Sequence, residues 1–266
     1  MNRRTLLKTM PAFTLLAATA SSFAQDAAPA PGAGQKPAAA TSAAPAPSAA
    51  TSPAAPLAAA KDLQPITLPK PEKDGGKSVL AALWERRTNR NIRDEKLPPQ
   101  TLSNLLWAAF GVNREAGATG RPGRTAASAS NSQEIDLYVA LPEGVYLYEA
   151  VPHRLTPVVA GDLRTLAVGR GRRGGAGAPP VSIIFVADIA KFAKAGFQEP
   201  GLKDPEIQKS YYNIAAGLIA GNVYLFAASQ GLAAWFHNCN KPALATELKL
   251  RPDQRVLYAQ TVGFPA

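Results

Sequence analysis

The sequence predicts an α+β domain in which a mainly antiparallel sheet is wrapped by helices. Three segments carry that expectation. Ile135 to Leu141 and Val145 to Tyr148 alternate around Pro142-Glu143-Gly144, the pattern of a hairpin. Val181 to Ala187 (VSIIFVA) is a nearly continuous β-branched and aromatic run, as in a central strand covered on both faces. Ile207 to Gln230 reads as one long helix, apolar around much of its circumference. Its small residues Ala215, Ala216, Gly217, Ala220 and Gly221 permit close approach, so it is expected to be buried or packed on a second subunit.

In chain order, residues 1–24 read as a twin-arginine signal peptide. MNRRTLLK is a basic n-region, Thr9 to Ala20 is uncharged and mildly apolar, and Ser22-Phe23-Ala24 offers small residues before a cleavage at Gln25. The apolar stretch is too short for a stable membrane span, so the segment predicts export to the periplasm rather than anchoring. Residues 25–60 are almost entirely Ala, Pro, Ser, Thr and Gly, a composition that cannot bury enough apolar surface to offset its conformational entropy. A disordered, semi-rigid tether is expected there. Residues 61–266 are long enough for one domain with a substantial core.

Within that domain, SVLAALWERR (Ser78 to Arg87) places Val79, Leu80, Leu83 and Trp84 at helical spacing after a serine cap. Pro99 to Phe110 repeats the pattern after Leu97-Pro98, so two amphipathic helices are expected. Ala233 to His237, a short helix near Pro242 to Leu248, and Arg255 to Val262 complete the sheet and its cover.

The chain has 29 Lys plus Arg against 19 Asp plus Glu, a basic balance that suits a phosphate-bearing ligand. Nucleic acid is not expected, since an exported protein rarely meets it and no helix-turn-helix, zinc-finger or RNP pattern is present. The single cysteine, Cys239, excludes an intrachain disulfide and a thiolate cluster and reads as a small core hydrophobe. His153 and His237 lack metal-ligand spacing and read as structural, so no metal is predicted. Gly169-x-Gly171-x-x-Gly174 matches the dinucleotide fingerprint by letter only. It leads into Gly175-Ala-Gly-Ala-Pro-Pro, which cannot start a helix, and reads as a mobile basic loop.

The stronger constellation is ERRTNRNI, Glu85 to Ile92, where Arg86, Arg87, Thr88 and Arg90 crowd the end of the first helix. Guanidinium forks and a hydroxyl match the oxygens of a phosphate, although residue types alone also fit a solvated basic turn. Arg86-Arg87-Thr88-Asn89-Arg90 resembles the R-R-S-x-R motif with which the nitroreductase family binds the phosphate of FMN. LPPQTLSNLLWAAFGVNR, Leu97 to Arg114, resembles the family's next segment, especially in its azoline-dehydrogenase branch. Arg124 to Gln133 is similar to the family's P-S-x-x-N-x-Q loop, with Ala127 for the usual proline and Glu134 for the proline that often follows. Gly144 to Arg164, Ala215 to Phe236 and the terminal VGFP extend the likeness over about Lys77 to Pro265.

The resemblance implies an FMN-dependent oxidoreductase that moves a hydride or two electrons through flavin N5 to or from a small organic substrate, with no side-chain nucleophile. By the same resemblance, Arg86, Arg87, Thr88 and Arg90 clamp the phosphate, and Ser128 and Asn131 contact the flavin and its ribityl chain. Gly231, Leu232 and Ala233 lie against the ring, and Trp235 and Phe236 are either core packing or flavin contacts. The azoline-oxidising members use a Lys-Tyr pair, here Lys209-Ser210-Tyr211, which implies an alternative dehydrogenase reading with Lys209 as base and Tyr211 as proton relay. A flavin-binding domain displayed on a tether is the non-enzymatic alternative. Family members are homodimers with FMN at the subunit interface, which agrees with the small-residue face of the long helix. A basic residue that many members place beyond the final Gly-x-Pro is expected to be absent or replaced by a loop arginine. Export implies an electron donor other than NAD(P)H.

Overall fold

The Val181–Asp188 run forms a strand buried along all eight residues, as its unbroken apolar composition requires. It pairs antiparallel with Ile135–Leu141 on one side and Gln254–Gly263 on the other. In this computed structural model residues 63–117, 120–168 and 178–266 are described, all within the unit Ala54–Ala266. The signal at 1–24, the tether at 25–60 and the basic loop at 169–175 lie outside the described residues.

The strands in chain order are β1 (Ile66–Thr67), β2 (Val112–Arg114), β3 (Gly123–Arg124), β4 (Ile135–Leu141), β5 (Gly144–Glu149), β6 (Arg154–Ala160), β7 (Val181–Asp188), β8 (Ala233–His237) and β9 (Gln254–Gly263). Seven of them form one sheet in the order β1-β6-β5-β4-β7-β9-β8. Every neighbouring pair is antiparallel, and β2 and β3 make a separate hairpin. The helices are α1 (Val79–Glu85), α2 (Pro99–Phe110), α3 (Arg164–Val168), α4 (Pro205–Ser229) and α5 (Lys241–Glu247).

Successive side chains of a strand point to opposite faces, and here both faces are covered. Leu137, Val139, Ile183 and Phe185 pack with Leu105 and Leu106 of α2 and Ile219 and Val223 of α4. Tyr138, Ala140, Ile184 and Val186 belong to a second cluster with Ala167 of α3 and Leu244 of α5. The two-sided cover is why β4 is more buried than its alternation implies.

The expected helices form, but their apolar faces divide differently. α2 matches its predicted span and buries Leu102, Leu105, Leu106, Ala109 and Phe110. α1 starts where Ser78 Oγ accepts a hydrogen bond from the Ala81 amide at 3.3 Å, yet it buries only Ala82. Its apolar stripe faces away from the core: Leu80 is 72 % exposed and Trp84 91 %. On α4, Ala215, Ala216 and Ala220 pack inward, whereas Gly217, Gly221, Ile214 and Leu218 face outward. The small-residue stripe is therefore split between the core and an open surface.

α4 ends in a Schellman turn, with the Leu232 amide donating to Ala227 O at 2.7 Å and the Gly231 amide to Ala228 O at 3.3 Å. Gly231 has φ +68° with open space around its Cα, so its need for glycine is conformational. Gly231→Ala should destabilise the chain by about 1 kcal/mol in urea unfolding, the cost of a left-handed alanine; no change would refute that account.

Both histidines are held in hydrogen-bonded positions. Tyr148 Oη donates to His153 Nδ1 at 2.9 Å, and His153 Nε2 donates to Ser103 Oγ at 2.7 Å while Ser103 donates to Pro69 O. His237 Nδ1 donates to Asn238 O at 2.8 Å and its Nε2 accepts from Thr261 Oγ1 at 2.8 Å. Burial lowers both pKa values.

Candidate functional site

The residues after α1 leave the helix in extended form and are tied across the sheet edge. The Arg86 amide donates to Ala82 O at 2.8 Å and closes the helix; the Asn89 amide then donates to Ala234 O of β8 at 2.9 Å. Ile92 bridges to Pro265 beyond β9. This crossing places Arg86 and Arg87 over the C-terminal end of α4, beside a cavity of about 440 Å³ lined also by Tyr224, Ala228, Gly231, Leu232 and Ala234. Among the described residues neither arginine pairs with a carboxylate, because Glu85, which also lines the cavity, is ion-paired to Lys77. Two uncompensated guanidiniums at a cavity of this size fit a phosphate-bearing ligand.

Thr88 and Arg90 flank the cavity without lining it. Thr88 Oγ1 lies 3.0 Å from Tyr224 Oη, which also accepts from the Phe236 amide at 2.9 Å, and the Arg86 guanidinium sits 5.3 Å from the centre of the Tyr224 ring. Arg90 lies 5.3 Å over Trp235, which is tilted against His237 at 4.2 Å. Ala233 is buried in β8 opposite Gly263. Phe236 packs edge-on against Phe185 at 5.5 Å and beside Tyr258 at 4.9 Å, a core position.

Ser128 and Asn131 line a different cavity, of about 540 Å³, together with Arg114, Arg124 and Phe197. Within one chain the structure does not bring them to Arg86 and Arg87. Their loop is held in an unusual shape, with φ of +48° at Ser130, +53° at Asn131 and +52° at Gln133. Non-glycine residues adopt that region at a cost and only where the surroundings enforce it. Here Ser128 Oγ accepts from the Gln133 amide at 3.0 Å, and Gln133 Nε2 donates to Pro122 O at 2.7 Å and to Asn131 Oδ1 at 2.9 Å. Arg124 Nε donates to Gln133 Oε1 at 2.8 Å, and Arg121 Nη1 donates to Asn131 O at 2.9 Å and Lys194 O at 2.6 Å.

Glu134, standing where a proline was the expected residue, is fully buried. Its Oε2 accepts from Ser132 Oγ at 2.6 Å while Oε1 has no partner among the described residues, and burial raises its pKa. A carboxyl raised above its unfolded value stabilises most below about pH 4.5, and that contribution is lost as the pH rises through the raised value. Glu134→Gln should therefore gain stability relative to the parent between pH 4 and pH 8 in urea titrations; a pH-independent difference would contradict this.

Lys209 and Tyr211 are not brought together. Residues two apart on a helix do not share a face. Lys209 is exposed and lies 3.6 Å from Glu206, whereas Tyr211 hydrogen-bonds to Glu199 and packs by Phe192. Neither lines the two cavities. Glu199 also accepts from Ser130 Oγ at 3.0 Å, linking Tyr211 to the loop that carries Ser128 and Asn131. Sequence reasoning missed Tyr224, Gln133, Arg124 and Glu199. Tyr224 was findable, since it stands two helical turns before Gly231 on the same side of α4 as Ala227 and Ala228.

The profile of the Nitroreductase family matches residues 83–264. A nitroreductase-like protein of Methanocaldococcus jannaschii is 27% identical over 178 residues, which is 64% of this chain and 82% of that one. The crystal structure of a nitroreductase-like protein from Ralstonia eutropha JMP134 superposes with a TM-score of 0.66 at 34% identity, covering 80% of this chain and 99% of that one. The microcin synthetase McbBCD complex of E. coli shares the fold, with a TM-score of 0.58 at 18% identity over 68% of this chain and 70% of that one.

Proposed function

The chain belongs to the nitroreductase family of oxidoreductase enzymes, and from that premise we propose that it is an exported, FMN-dependent enzyme exchanging two electrons with a small organic substrate such as a nitro compound or a quinone. The observation that carries the reading is the pairing of two unopposed guanidiniums, Arg86 and Arg87, with the Schellman turn at Gly231-Leu232 around one cavity. FMN, when bound, supplies the two-electron chemistry at its N5.

The chain's own residues supply binding and orientation. Arg86 and Arg87 hold the phosphate, Thr88 is kept in place by Tyr224, and Arg90 is stacked on Trp235. Leu232 and Ala233 shape the ring pocket where α4 hands over to β8. Ser128 and Asn131 serve the ring and ribityl chain from a second copy, because in one chain they line a separate cavity. The outward apolar residues of α1 and α4 provide the surface for that homodimer. Among the described residues no helix is long and apolar enough to cross a membrane.

Export by the twin-arginine route fits this chemistry: FMN is made in the cytoplasm and that route carries folded proteins. The donor outside the cytoplasm is then a quinol, a redox protein or the substrate itself. Absorbance and mass spectrometry of the ligand released from periplasmically purified protein test the reading. Yellow protein that bleaches with dithionite and releases FMN is expected; colourless protein that takes up no added FMN would overturn it.

A further inference from the structure

The cavity beside the β2–β3 hairpin carries more charge than a flavin ring requires. Among the described residues lining it there are two arginines, Arg114 and Arg124, and no Asp or Glu. Arg124 is largely buried, and its desolvation pushes its pKa down. Its hydrogen-bond partners among the described residues are neutral acceptors, Gln133 Oε1 at 2.8 Å and Phe110 O at 3.2 Å, with the Phe110 ring 5.1 Å below its guanidinium. Its Nη2 makes no hydrogen bond among the described residues. The nearby Asp136 carboxylate acts on Arg124 only through space and is itself ion-paired with Lys191. A desolvated guanidinium whose hydrogen bonds go to neutral groups favours an arriving anion more strongly than a solvated one does.

Arg114 sits opposite Gly123 in the hairpin register. A Cβ on Gly123 would come within 2.5 Å of Arg114 Nη2 and 2.6 Å of its Nε, so the guanidinium lies flat on the glycine. That close approach is available only because position 123 has no side chain. Among the described residues Arg114 forms no ion pair or hydrogen bond. At the rim stands Phe197, 58 % exposed, with its amide donating to Ser130 O at 3.3 Å. An exposed aromatic ring anchored beside two guanidiniums matches a planar anion with an aromatic body.

We propose that this cavity binds the carboxylate end of an aromatic substrate, with Arg114 and Arg124 as its counter-charges and Phe197 against its ring. The assignment rests on the reading of Ser128 and Asn131 as flavin-side residues, which makes the same cavity the substrate's approach. Gly123 is a positioning residue that seats Arg114.

The test uses the full chain loaded with FMN and two probes of one shape, 4-nitrobenzoate and the neutral 4-nitrobenzamide. Dissociation constants are read from the change in absorbance of the oxidised flavin and by calorimetry, with FMN content measured in every sample. At low salt the carboxylate should bind roughly three- to tenfold tighter than the amide, and the preference should shrink as salt rises. Arg114→Gln and Gly123→Ala should abolish the preference, Arg114→Lys should keep part of it, and FMN content should be unchanged in all three. Equal binding of the two probes by the parent protein would overturn the proposal. So would an Arg114→Gln variant that loses FMN but keeps the preference, since the arginines would then serve the cofactor's phosphate. If the chain binds no FMN, the functional reading fails by itself, and calorimetry of the two probes on the FMN-free chain still decides whether the cavity prefers the anion.

Discussion

A chain carrying Leu218→Arg should run as a monomer in size-exclusion chromatography with light scattering and retain little FMN, whereas the parent should run as a dimer and be yellow. Leu218 lies on the outward face of α4, 46 % exposed, with Ile214 one turn before it and the open glycines Gly217 and Gly221 beside it. α1 packs on α4 and turns Val79, Leu80, Leu83 and Trp84 outward as well. Large apolar side chains each yield about 1.5–3 kcal/mol on full burial, so a surface of this composition favours association. An unpaired arginine at the centre of such an interface should weaken it on the order of a hundredfold or more. On the proposed function FMN content should follow the dimer, because Arg86 and Arg87 line one cavity of a chain while Ser128 and Asn131 line another. A monomeric parent, or a monomeric variant with full FMN content, would refute this arrangement.

Arg86→Ala combined with Arg87→Ala should weaken FMN binding by about a hundredfold or more, measured by quenching of free FMN fluorescence. Hydrogen bonds to charged groups contribute about 1.5–3 kcal/mol each, so two lost donors give at least about 3 kcal/mol. Among the described residues neither guanidinium has a carboxylate to return to, since Glu85 is held by Lys77, and both side chains are exposed. The thermal melt of the FMN-free variant should therefore match that of the parent. Replacement by lysine at both positions should recover only part of the affinity, because a point charge loses the planar fork. Unchanged FMN affinity in the double alanine variant would remove the phosphate role.

Much of the architecture could be read locally. The VSIIFVA run is a fully buried central strand, and the span of α2 from Pro99 to Phe110 matches its pattern of apolar spacing and a proline at its start. The hairpin about Pro142-Glu143 has Leu141 opposite Gly144, as its turn residues imply. Such features depend on residues a few positions apart, where side-chain period and backbone preference suffice. The candidate site was legible only in part: ERRTNRNI marks a cluster whose Arg86 and Arg87 line a cavity, but Thr88 faces Tyr224, 136 residues away. The glycine at 231 was expected to admit the flavin ring, yet its positive φ first serves the end of α4.

Sequence alone thus determined the class of fold, the α1, α2, α4 and α5 helices, the β4–β5 hairpin, the β7, β8 and β9 strands, and the arginine cluster that makes a phosphate ligand reasonable, because each rests on short-range periodicity and residue chemistry; β1, β2, β3, β6 and α3 were not anticipated. Tertiary structure alone decided that the apolar stripe of α1 faces outward, that Lys209 and Tyr211 part to different sides of α4, and that Ser128 and Asn131 sit apart from Arg86 and Arg87. An amphipathic pattern specifies that a face will be covered but not by which surface. That choice is made by contacts between segments far apart along the chain, which periodicity does not encode.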